Sequence, residues 1–458
     1  MSSETVASAE GADESGGVAD ESGARARTCA LESEGTIADP NHRRPPRWIE
    51  HAIWWQVYPL GFAGAPIRPR SPEERGMTPR LGRLDHWLDH LIGLGANGLM
   101  LGPIFASRTH GYDTVDYYRI DPRLGDDATF DALMEGCRRR GIRVMLDGVF
   151  NHVSRDFPAF REAMTTGRRR DMFRTAARPD DSSGFAVFEG HEELPELNHH
   201  SAEVVRMVGD VMRYWLSRGV SAWRLDAAYA VPPQFWAQVL PRVRHEFPET
   251  WFMGEVIHGD YPDIIGRSGM DSLTQYELWK AVWSSLQAGN FYELDWCLKR
   301  HNRFMADFIP ATFIGNHDVT RIASTVGSRA AALAAVIEFS LGGVPIIYYG
   351  DEFALTGIKE NRIGGDDAVR PEFPDRPEEL HAGDRWMLSL YRDLLGIRRR
   401  NPWMVTARTE PTKVDNRSYS YDVMGNGGER MHVDLRLDPR PVADISQGGV
   451  VLAHVEHP

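Results

Sequence analysis

Cysteine is scarce in this chain: the 458 residues include only three, Cys29, Cys137 and Cys297, far apart in sequence. An odd number of widely spaced cysteines does not predict a disulfide framework, so we expect reduced thiols. Apolar runs long enough to span a bilayer are also missing, and the start of the chain lacks the basic and apolar regions of a secretory signal. These absences together favour a cytoplasmic protein.

Positive charge is in deficit, with 52 Lys and Arg residues against 65 Asp and Glu residues and a net charge of -13. Nucleic acids and anionic membranes are bound by clustered Lys and Arg, so we expect neither as a partner. Residues 1–46 carry part of the acidic charge and are rich in Ser, Gly and Ala. This composition predicts a disordered acidic tail.

From about Trp48 onward, strand-like and helix-like segments alternate. Eight such βα repeats predict an α/β fold, a closed (β/α)8 TIM barrel over residues 47–402. An open doubly wound sheet is the alternative, although no GxGxxG motif opens a helix after the first strand. The predicted strands are Ile53–Tyr58, Gly98–Leu101, Arg143–Asp147, Ser221–Asp226, Trp251–Val256, Ser272–Tyr276, Thr312–Ile314 and Pro345–Tyr349. The predicted helices are Leu84–Leu94, Thr129–Arg140, Ser201–Ser217, Pro232–Phe247, Arg329–Phe339 and Arg385–Arg399.

Two regions depart from this alternation. After the third strand it stops for roughly fifty residues, at about 153–198, which is too long for an ordinary βα loop and predicts an inserted domain. Residues 403–458 alternate apolar and polar residues around Gly425-Asn-Gly-Gly428, a hairpin turn signal. This pattern predicts a small β domain at the C-terminal end.

Four stretches place a carboxylate at or just beyond the end of a predicted strand. A fifth polar segment, Arg108-Thr-His-Gly-Tyr-Asp113, follows the second strand. In a barrel, the C-terminal ends of the strands form one face, so these side chains are expected to share one pocket. The four stretches are Asp147-Gly-Val-Phe-Asn-His152, Trp223-Arg-Leu-Asp226, Met253-Gly-Glu255 and Phe313-Ile-Gly-Asn-His-Asp318.

The residue types in this pocket predict chemistry at a sugar. Arg224 and Asp226 leave the same face of a strand, so we expect the guanidinium to keep Asp226 ionised, as a nucleophile requires. Glu255, crowded by like charge, is expected to retain a proton for a leaving oxygen. Asp318 is a third carboxylate that can steady positive charge at the sugar ring.

Neutral groups complete the predicted pocket. His152 and His317 can donate hydrogen bonds to sugar hydroxyls, and Tyr112 offers a ring face for stacking. The pair His199-His200 lacks a spaced third ligand and does not predict a metal site. Any single Asp at a strand end is commonly a helix cap or an ion-pair partner, so the prediction depends on the whole ordered set.

Together these motifs make residues 50–400 resemble the α-amylase superfamily of glycoside hydrolases, family 13. The hexapeptide Asp147-Gly-Val-Phe-Asn-His152 and the block Leu194-Pro-Glu-Leu-Asn198 are most similar to neopullulanases and cyclomaltodextrinases. Supporting blocks are Gly102-Pro-Ile-Phe105 and Gly343-Val-Pro-Ile-Ile-Tyr-Tyr-Gly-Asp-Glu352.

The resemblance implies a retaining hydrolase of mainly α-1,4 glucosidic bonds in maltodextrin-type α-glucans. It makes Asp226 the nucleophile, Glu255 the general acid/base and Asp318 the transition-state stabiliser. It assigns the insert at about 153–198 to the family's domain B. It also implies that Arg224, His152, His317 and Tyr112 hold the sugar, and that Asp147 supports the site.

The chain departs from these relatives in three places. They usually carry an N-terminal β domain that helps dimerisation, where this chain has the acidic tail, so monomer and weak dimer both stay open. Ile257 occupies a position where they often have Trp. Tyr229-Ala230 replaces a Lys-His pair, which leaves the usual calcium site incomplete although Asn151 is present. We therefore predict no required calcium and no other cofactor.

Three functional hypotheses remain. The first is the hydrolase. The second is glycosyl transfer or disaccharide isomerisation by the same residues, because a covalent intermediate can be intercepted by water or by a hydroxyl. The third is a non-catalytic sugar-binding barrel, which the intact set of Asp226, Glu255 and Asp318 disfavours.

Overall fold

The computed structural model describes residues 45–176, 184–381 and 383–457. The predicted acidic tail lies almost entirely outside these residues, as does Cys29. The described residues belong to one compact unit, 41–458. Within them, the helices are all too short or too polar to cross a lipid bilayer.

The described residues form strands and helices in the following chain order. The strands are β1 (Trp54–Val57), β2 (Gly98–Leu101), β3 (Phe105–Ser107), β4 (Thr114–Ile120), β5 (Arg143–Gly148), β6 (Ala222–Leu225), β7 (Trp251–Gly254), β8 (Ser272–Leu273), β9 (Ala311–Thr312), β10 (Val344–Tyr348), β11 (Arg408–Val414), β12 (Ser418–Met424), β13 (Arg430–Arg436), β14 (Val442–Gln447) and β15 (Val450–Glu456). The helices are α1 (Pro59–Phe62), α2 (Leu88–Leu94), α3 (Asp127–Arg139), α4 (Pro158–Thr166), α5 (Ala202–Ser217), α6 (Pro233–Glu246), α7 (Tyr261–Ser268), α8 (Tyr276–Ala288), α9 (Tyr292–Asp307), α10 (Ile322–Val326), α11 (Ser328–Ser340) and α12 (Arg385–Arg400).

Eight parallel strands form the central sheet, in the order β8-β7-β6-β5-β2-β1-β10-β9. The two ends of this order meet, because Thr274 pairs with Ala311 in a parallel bridge. The Gln275 N–H donates to the Ala311 carbonyl at 2.9 Å. The sheet is therefore a closed barrel, which confirms the predicted fold and excludes the open doubly wound sheet.

Apolar side chains fill the lower interior of the barrel. The rings of Trp54 and Trp251 stack there, with centroids 6.1 Å apart. Residues two apart on a strand point the same way, so Gln56 and Arg224 lie one layer above Trp54 and Ala222. The packed apolar layer therefore closes the lower end of the barrel, and the polar layer above it forms the bottom of the pocket.

The weakest sequence predictions differ from the structure at their ends. Strand β8 stops at Leu273, and Tyr276, predicted as strand, begins α8 instead. The reason is a cap: the Gln275 side chain accepts a hydrogen bond from the Leu278 N–H. Strand β9 begins at Ala311 and ends at Thr312, earlier than predicted.

Two smaller units flank the barrel. Between β5 and α5, the predicted insert contains α4 and a cluster of aromatic rings, in which Phe160 packs edge-on against Phe173 and Phe185 at 5.0 and 5.2 Å. At the C-terminal end, β11 to β15 form an antiparallel five-stranded sheet. The predicted turn at Gly425 joins β12 to β13. The Ser340 and Tyr421 hydroxyls, 2.7 Å apart, connect this sheet to α11.

Candidate active site

The predicted site residues lie on one rim of the barrel. Asp147 is part of β5, and Arg224 is part of β6. Asp226 follows β6 directly, and its N–H donates to the Gly148 carbonyl at 3.1 Å. Glu255 follows β7, and its N–H donates to the Leu225 carbonyl at 2.9 Å. The barrel hydrogen-bond pattern therefore continues past the strand ends and fixes both carboxylates.

Arg224 is the centre of the site. Its Nη1 lies 2.7 and 2.6 Å from the two carboxylate oxygens of Asp147 and 3.0 Å from Oδ1 of Asp226. Its Nη2 lies 2.7 Å from Oε1 of Glu255. The guanidinium is buried, so three carboxylates of three adjacent strands share one positive charge.

The surroundings of Asp226 act on its pKa in opposite directions. Burial raises the pKa of Asp226 well above its ordinary value, Arg224 opposes this, and the charges of Glu255 and Asp147 add to it. Burial likewise raises the pKa of Asp147, against the pull of Arg224. Arg224 contacts Asp226 as expected, but its charge is divided among three buried carboxylates, so the ionised state of Asp226 stays a prediction.

Backbone strain contributes to the position of Glu255. Its Oε2 accepts a hydrogen bond from the Ala227 N–H at 3.0 Å. Ala227 has φ of +46°, in the left-handed region that residues other than glycine adopt rarely. A strained backbone at such a site persists only where its surroundings impose it. Here the turn after Asp226 aims an N–H at Glu255.

A chain of hydrogen bonds connects Glu255 to Asp318. The Tyr276 hydroxyl donates to Oε1 of Glu255 at 3.2 Å. The Asn316 side-chain amide donates to the Tyr276 hydroxyl at 2.9 Å. Oδ1 of Asn316 accepts the Asp318 N–H at 2.8 Å. The proposed acid and the proposed stabiliser are therefore positioned by one network.

Asp318 is the most exposed of the predicted carboxylates, with 34% of its side chain accessible. Arg370 Nη2 lies 2.9 Å from Oδ1, and His317 Nε2 lies 3.0 Å from Oδ2. Burial alone would raise the pKa of Asp318, but His317 and Arg370 hold it well below its ordinary value. Asp318 is therefore ionised and faces the open side of the pocket.

Tyr112 and His317 lie against each other above Asp147. Their rings are parallel, with centroids 5.4 Å apart. The Tyr112 hydroxyl donates to Oδ2 of Asp147 at 3.1 Å and also contacts Nε2 of His317. Gln56 Nε2 lies 3.2 Å from Nδ1 of His317. These contacts fix both rings at the pocket wall.

His152 is buried behind Tyr112. One ring nitrogen, Nε2, lies 3.0 Å from the Tyr112 carbonyl oxygen, and Nδ1 lies 3.3 Å from the Asn151 amide nitrogen. Burial lowers the pKa of His152 to about 3, so the ring is neutral. Because both nitrogens contact the protein, His152 holds the Tyr112 backbone, and its contact with a sugar stays a prediction.

Sequence reasoning missed three contributors to the site: Tyr276, Arg370 and Gln56. Tyr276 had a signal, since it stands where predicted strand six ends on the rim. Gln56 is the one polar side chain within β1. Arg370 lies in the loop after β10 and had no motif around it.

Metal binding has little support within residues 45–176, 184–381 and 383–457. No group of three or more His, Cys, Asp or Glu side chains there is arranged to hold a metal ion. The Nε2 of His199 lies 3.0 Å from the Phe150 carbonyl, so this buried ring serves the fold. Independence from calcium stays a prediction.

Comparisons with known proteins agree with this geometry. Residues 81–379 match the family profile described as "Alpha amylase, catalytic domain". A cyclomaltodextrinase from Geobacillus thermopakistaniensis is 30% identical over 433 residues, which cover 86% of this chain and 72% of the relative. Neopullulanase 2 from Thermoactinomyces vulgaris is 28% identical over 441 residues, with the same two coverages of 86% and 72%.

Solved structures share the fold. Cyclic α-maltosyl-(1→6)-maltose hydrolase from Arthrobacter globiformis, in complex with maltose, superimposes with a TM-score of 0.74 and 29% identity. The match covers 85% of this chain and 92% of that one. The matched family region contains every strand-end carboxylate from Asp147 to Asp318. The chain therefore belongs to the α-amylase family of glycoside hydrolases.

Proposed function

We propose that this enzyme hydrolyses α-glucosidic bonds, mainly α-1,4, in maltodextrin-type α-glucans, with retention of the anomeric configuration. The observation that carries the proposal is the pairing of Asp226 and Glu255 through one guanidinium, on adjacent strand ends of a single rim. Retaining glycosidases require two carboxyl groups close together, one as nucleophile and one as acid.

The reaction has two displacements. Asp226 attacks the anomeric carbon while Glu255 gives its proton to the glycosidic oxygen, so the carbon–oxygen bond breaks and the leaving sugar departs with that proton. A covalent glycosyl ester on Asp226 remains. Glu255 then removes a proton from water, which attacks the same carbon and releases the sugar and free Asp226.

The charges of the site suit a mechanism in which one of its carboxyl groups carries a proton. Asp147, Asp226, Glu255 and Asp318 face one buried arginine, Arg224, and a second arginine that contacts Asp318. Carboxyl groups thus outnumber arginines in a poorly solvated pocket, and burial raises the pKa of Asp226 and Asp147, which favours a retained proton within this group of carboxyls. Double displacement needs this proton on Glu255, beside the leaving oxygen.

Asp318 has a separate duty. Because Arg370 and His317 keep it ionised, it can stabilise the positive charge that develops on the sugar ring in the transition state. The ring of Tyr112, held parallel to His317, forms the wall on the same side as Asp318. This side suits the sugar unit whose bond is broken.

Glycosyl transfer or disaccharide isomerisation is the second candidate, because an apolar side chain lies on the side of the pocket where an acceptor sugar would bind. Ile257, two residues past Glu255, is 38% exposed. Apolar surface at this place favours an incoming sugar over bulk water. A non-catalytic barrel is disfavoured by the complete set of positioned carboxylates.

Product analysis tests the function. The enzyme is incubated with maltooligosaccharides, cyclodextrins, pullulan, sucrose and trehalose, and products are separated by anion-exchange chromatography. Hydrolysis predicts only shorter sugars, with the α-anomer formed first by NMR. Oligosaccharides longer than maltotriose, formed from maltotriose, would support transfer instead.

Two variants test the residue roles. Asp226→Asn and Glu255→Gln are each expected to lower kcat by at least about a thousandfold with an unchanged circular dichroism spectrum. Glu249→Gln, at an exposed position on the opposite end of the barrel, is the matched control. Near-normal turnover by either site variant would refute the assignment.

The state of the cysteines fits a cytoplasmic location. We place the enzyme in the cytoplasm, where thiols stay reduced. Cys137 and Cys297 are both free and buried, which suits such a compartment.

A further inference from the structure

A hydrogen bond connects the inserted domain to the barrel rim beside the proposed acid. Tyr229 lies in the turn after β6, three residues past Asp226, and its N–H donates to the Glu255 carbonyl at 3.2 Å. Its hydroxyl donates to Oε1 of Glu189 at 2.8 Å. Glu189 belongs to the insert, so this Tyr229–Glu189 bridge spans from the insert to the barrel.

Both ends of the bridge are held by neighbouring rings. Phe188 stacks on His152 with centroids 4.5 Å apart, which fixes the insert side. The Tyr229 ring lies 5.4 Å from the ring of His258, in the loop after β7. Burial raises the pKa of Tyr229, and contact with Glu189 raises it further, so the hydroxyl keeps the proton that it donates.

The backbone also favours one position for the bridge. Glu189 has φ of +49°, in the left-handed region. A residue other than glycine in this region is held there by its surroundings, and here the carboxylate is tied to Tyr229 and the preceding ring to His152.

In the proposed mechanism, the bridge lies on the side from which the leaving sugar departs. The acid protonates the leaving oxygen, so the leaving group extends past Glu255, towards Tyr229 and His258. Asp318, which His317 and Arg370 contact, follows β9, and β9 lies on the other side of β7 from β6 in the strand order of the barrel. A long leaving chain would therefore have to pass the Tyr229–Glu189 bridge.

We propose that the Tyr229–Glu189 bridge closes the leaving-group side of the pocket, so that each cleavage releases one or two glucose units from the reducing end. This inference rests on the proposed α-glucan hydrolysis and specifies the substrate for it. Linear maltooligosaccharides cut near the reducing end are the favoured substrates. Cyclic glucans, which continue on both sides of the cut bond, are disfavoured.

The position of cleavage tests the bridge. Maltoheptaose whose reducing-end glucose unit is uniformly labelled with ¹³C is digested to low conversion, and labelled products are measured by mass spectrometry. We expect labelled glucose and maltose to dominate for the wild type. Tyr229→Phe, which removes only the hydroxyl, and Glu189→Gly, which also suits the left-handed backbone, should each raise the ratio of labelled maltotriose and longer products about tenfold.

Controls separate the bridge from general effects. Tyr118→Phe, an exposed tyrosine on β4, and Glu192→Gly, an exposed neighbour in the insert, should leave the product ratio unchanged. The proposed role of the bridge is refuted if the wild type gives mainly long labelled products. It is also refuted if Tyr229→Phe and Glu189→Gly leave the product ratio unchanged. Either result leaves the proposed hydrolysis intact. An enzyme that cleaves no α-glucan refutes the proposed function itself.

Discussion

The Nη2 atom of Arg224 lies 2.7 Å from Oε1 of Glu255, on the neighbouring strand. The other terminal nitrogen of the same guanidinium contacts Asp147 and Asp226. The planar fork therefore sets the spacing between the proposed nucleophile and the proposed acid. It also supplies one positive charge to three buried carboxylates.

Arg224→Lys should separate the geometric role of this fork from its charge. An ammonium keeps the charge but cannot contact two strand ends with fixed geometry, so we expect kcat to fall about a hundredfold or more. Steady-state kinetics on maltotriose measure the effect. Arg218→Lys is the matched control, since Arg218 also contacts two carboxylates, Asp127 and Asp131, on the outside of the barrel. Equal losses in both variants would contradict a special role for Arg224.

Tyr276→Phe should weaken acid catalysis specifically. The variant loses the hydroxyl that donates to Glu255 and receives the Asn316 amide. We expect kcat/KM on maltotriose to fall about ten- to a hundredfold, while α-maltosyl fluoride, whose leaving group needs little protonation, is hardly affected. The exposed Tyr292→Phe is the control. Parallel losses on both substrates would indicate a general structural defect instead.

Asp226→Asn should stabilise the fold at high pH while it abolishes activity. The folded-state pKa of Asp226 is raised, so the stability linked to its protonated form is complete below the unfolded pKa and is lost as pH rises through the folded pKa. The asparagine side chain does not titrate, so the variant does not lose stability in this way as pH rises. We expect a Tm above that of the wild type at pH 8, with the difference shrinking towards pH 4.

Asp318→Asn is expected to shift Tm at pH 8 in the opposite direction. The folded-state pKa of Asp318 is depressed, so its stabilising contribution is present above the unfolded pKa and is lost as pH falls through the folded value. This variant should therefore have a lower Tm than wild type at pH 8. Thermal denaturation across pH 4 to 8 measures both variants, and shifts of the same sign at pH 8 would contradict the charge assignments.

Removal of divalent cations should leave the enzyme active. Within the described segments of the chain, no cluster of acidic or histidine side chains is arranged for a metal, and Tyr229-Ala230 replaces the Lys-His pair of many relatives. Dialysis against EDTA is expected to change neither kcat nor Tm. Losses that Ca²⁺ restores and Mg²⁺ does not would contradict this prediction.

The sequence predicted the barrel because its signals are local. Strand periodicity placed Arg224 and Asp226 on one face, and the ends of β6 and β7 were located within about two residues. Short strands were harder: β8 and β9 have two residues each, and the cap at Gln275 turned Tyr276 from strand into helix. Arg370 could not be predicted, because only the folded loop after β10 brings it to Asp318.

The sequence by itself therefore determined the barrel and the rim on which Asp226, Glu255 and Asp318 lie, since patterns within single segments encode them; the catalytic roles of the three residues stay predictions. The tertiary structure alone decided how charge and access are arranged among these groups. The sharing of Arg224, the raised pKa of Asp226 and the bridge between Tyr229 and Glu189 depend on distances between segments far apart in the chain. They also depend on burial, because electrostatic interactions strengthen where water is excluded.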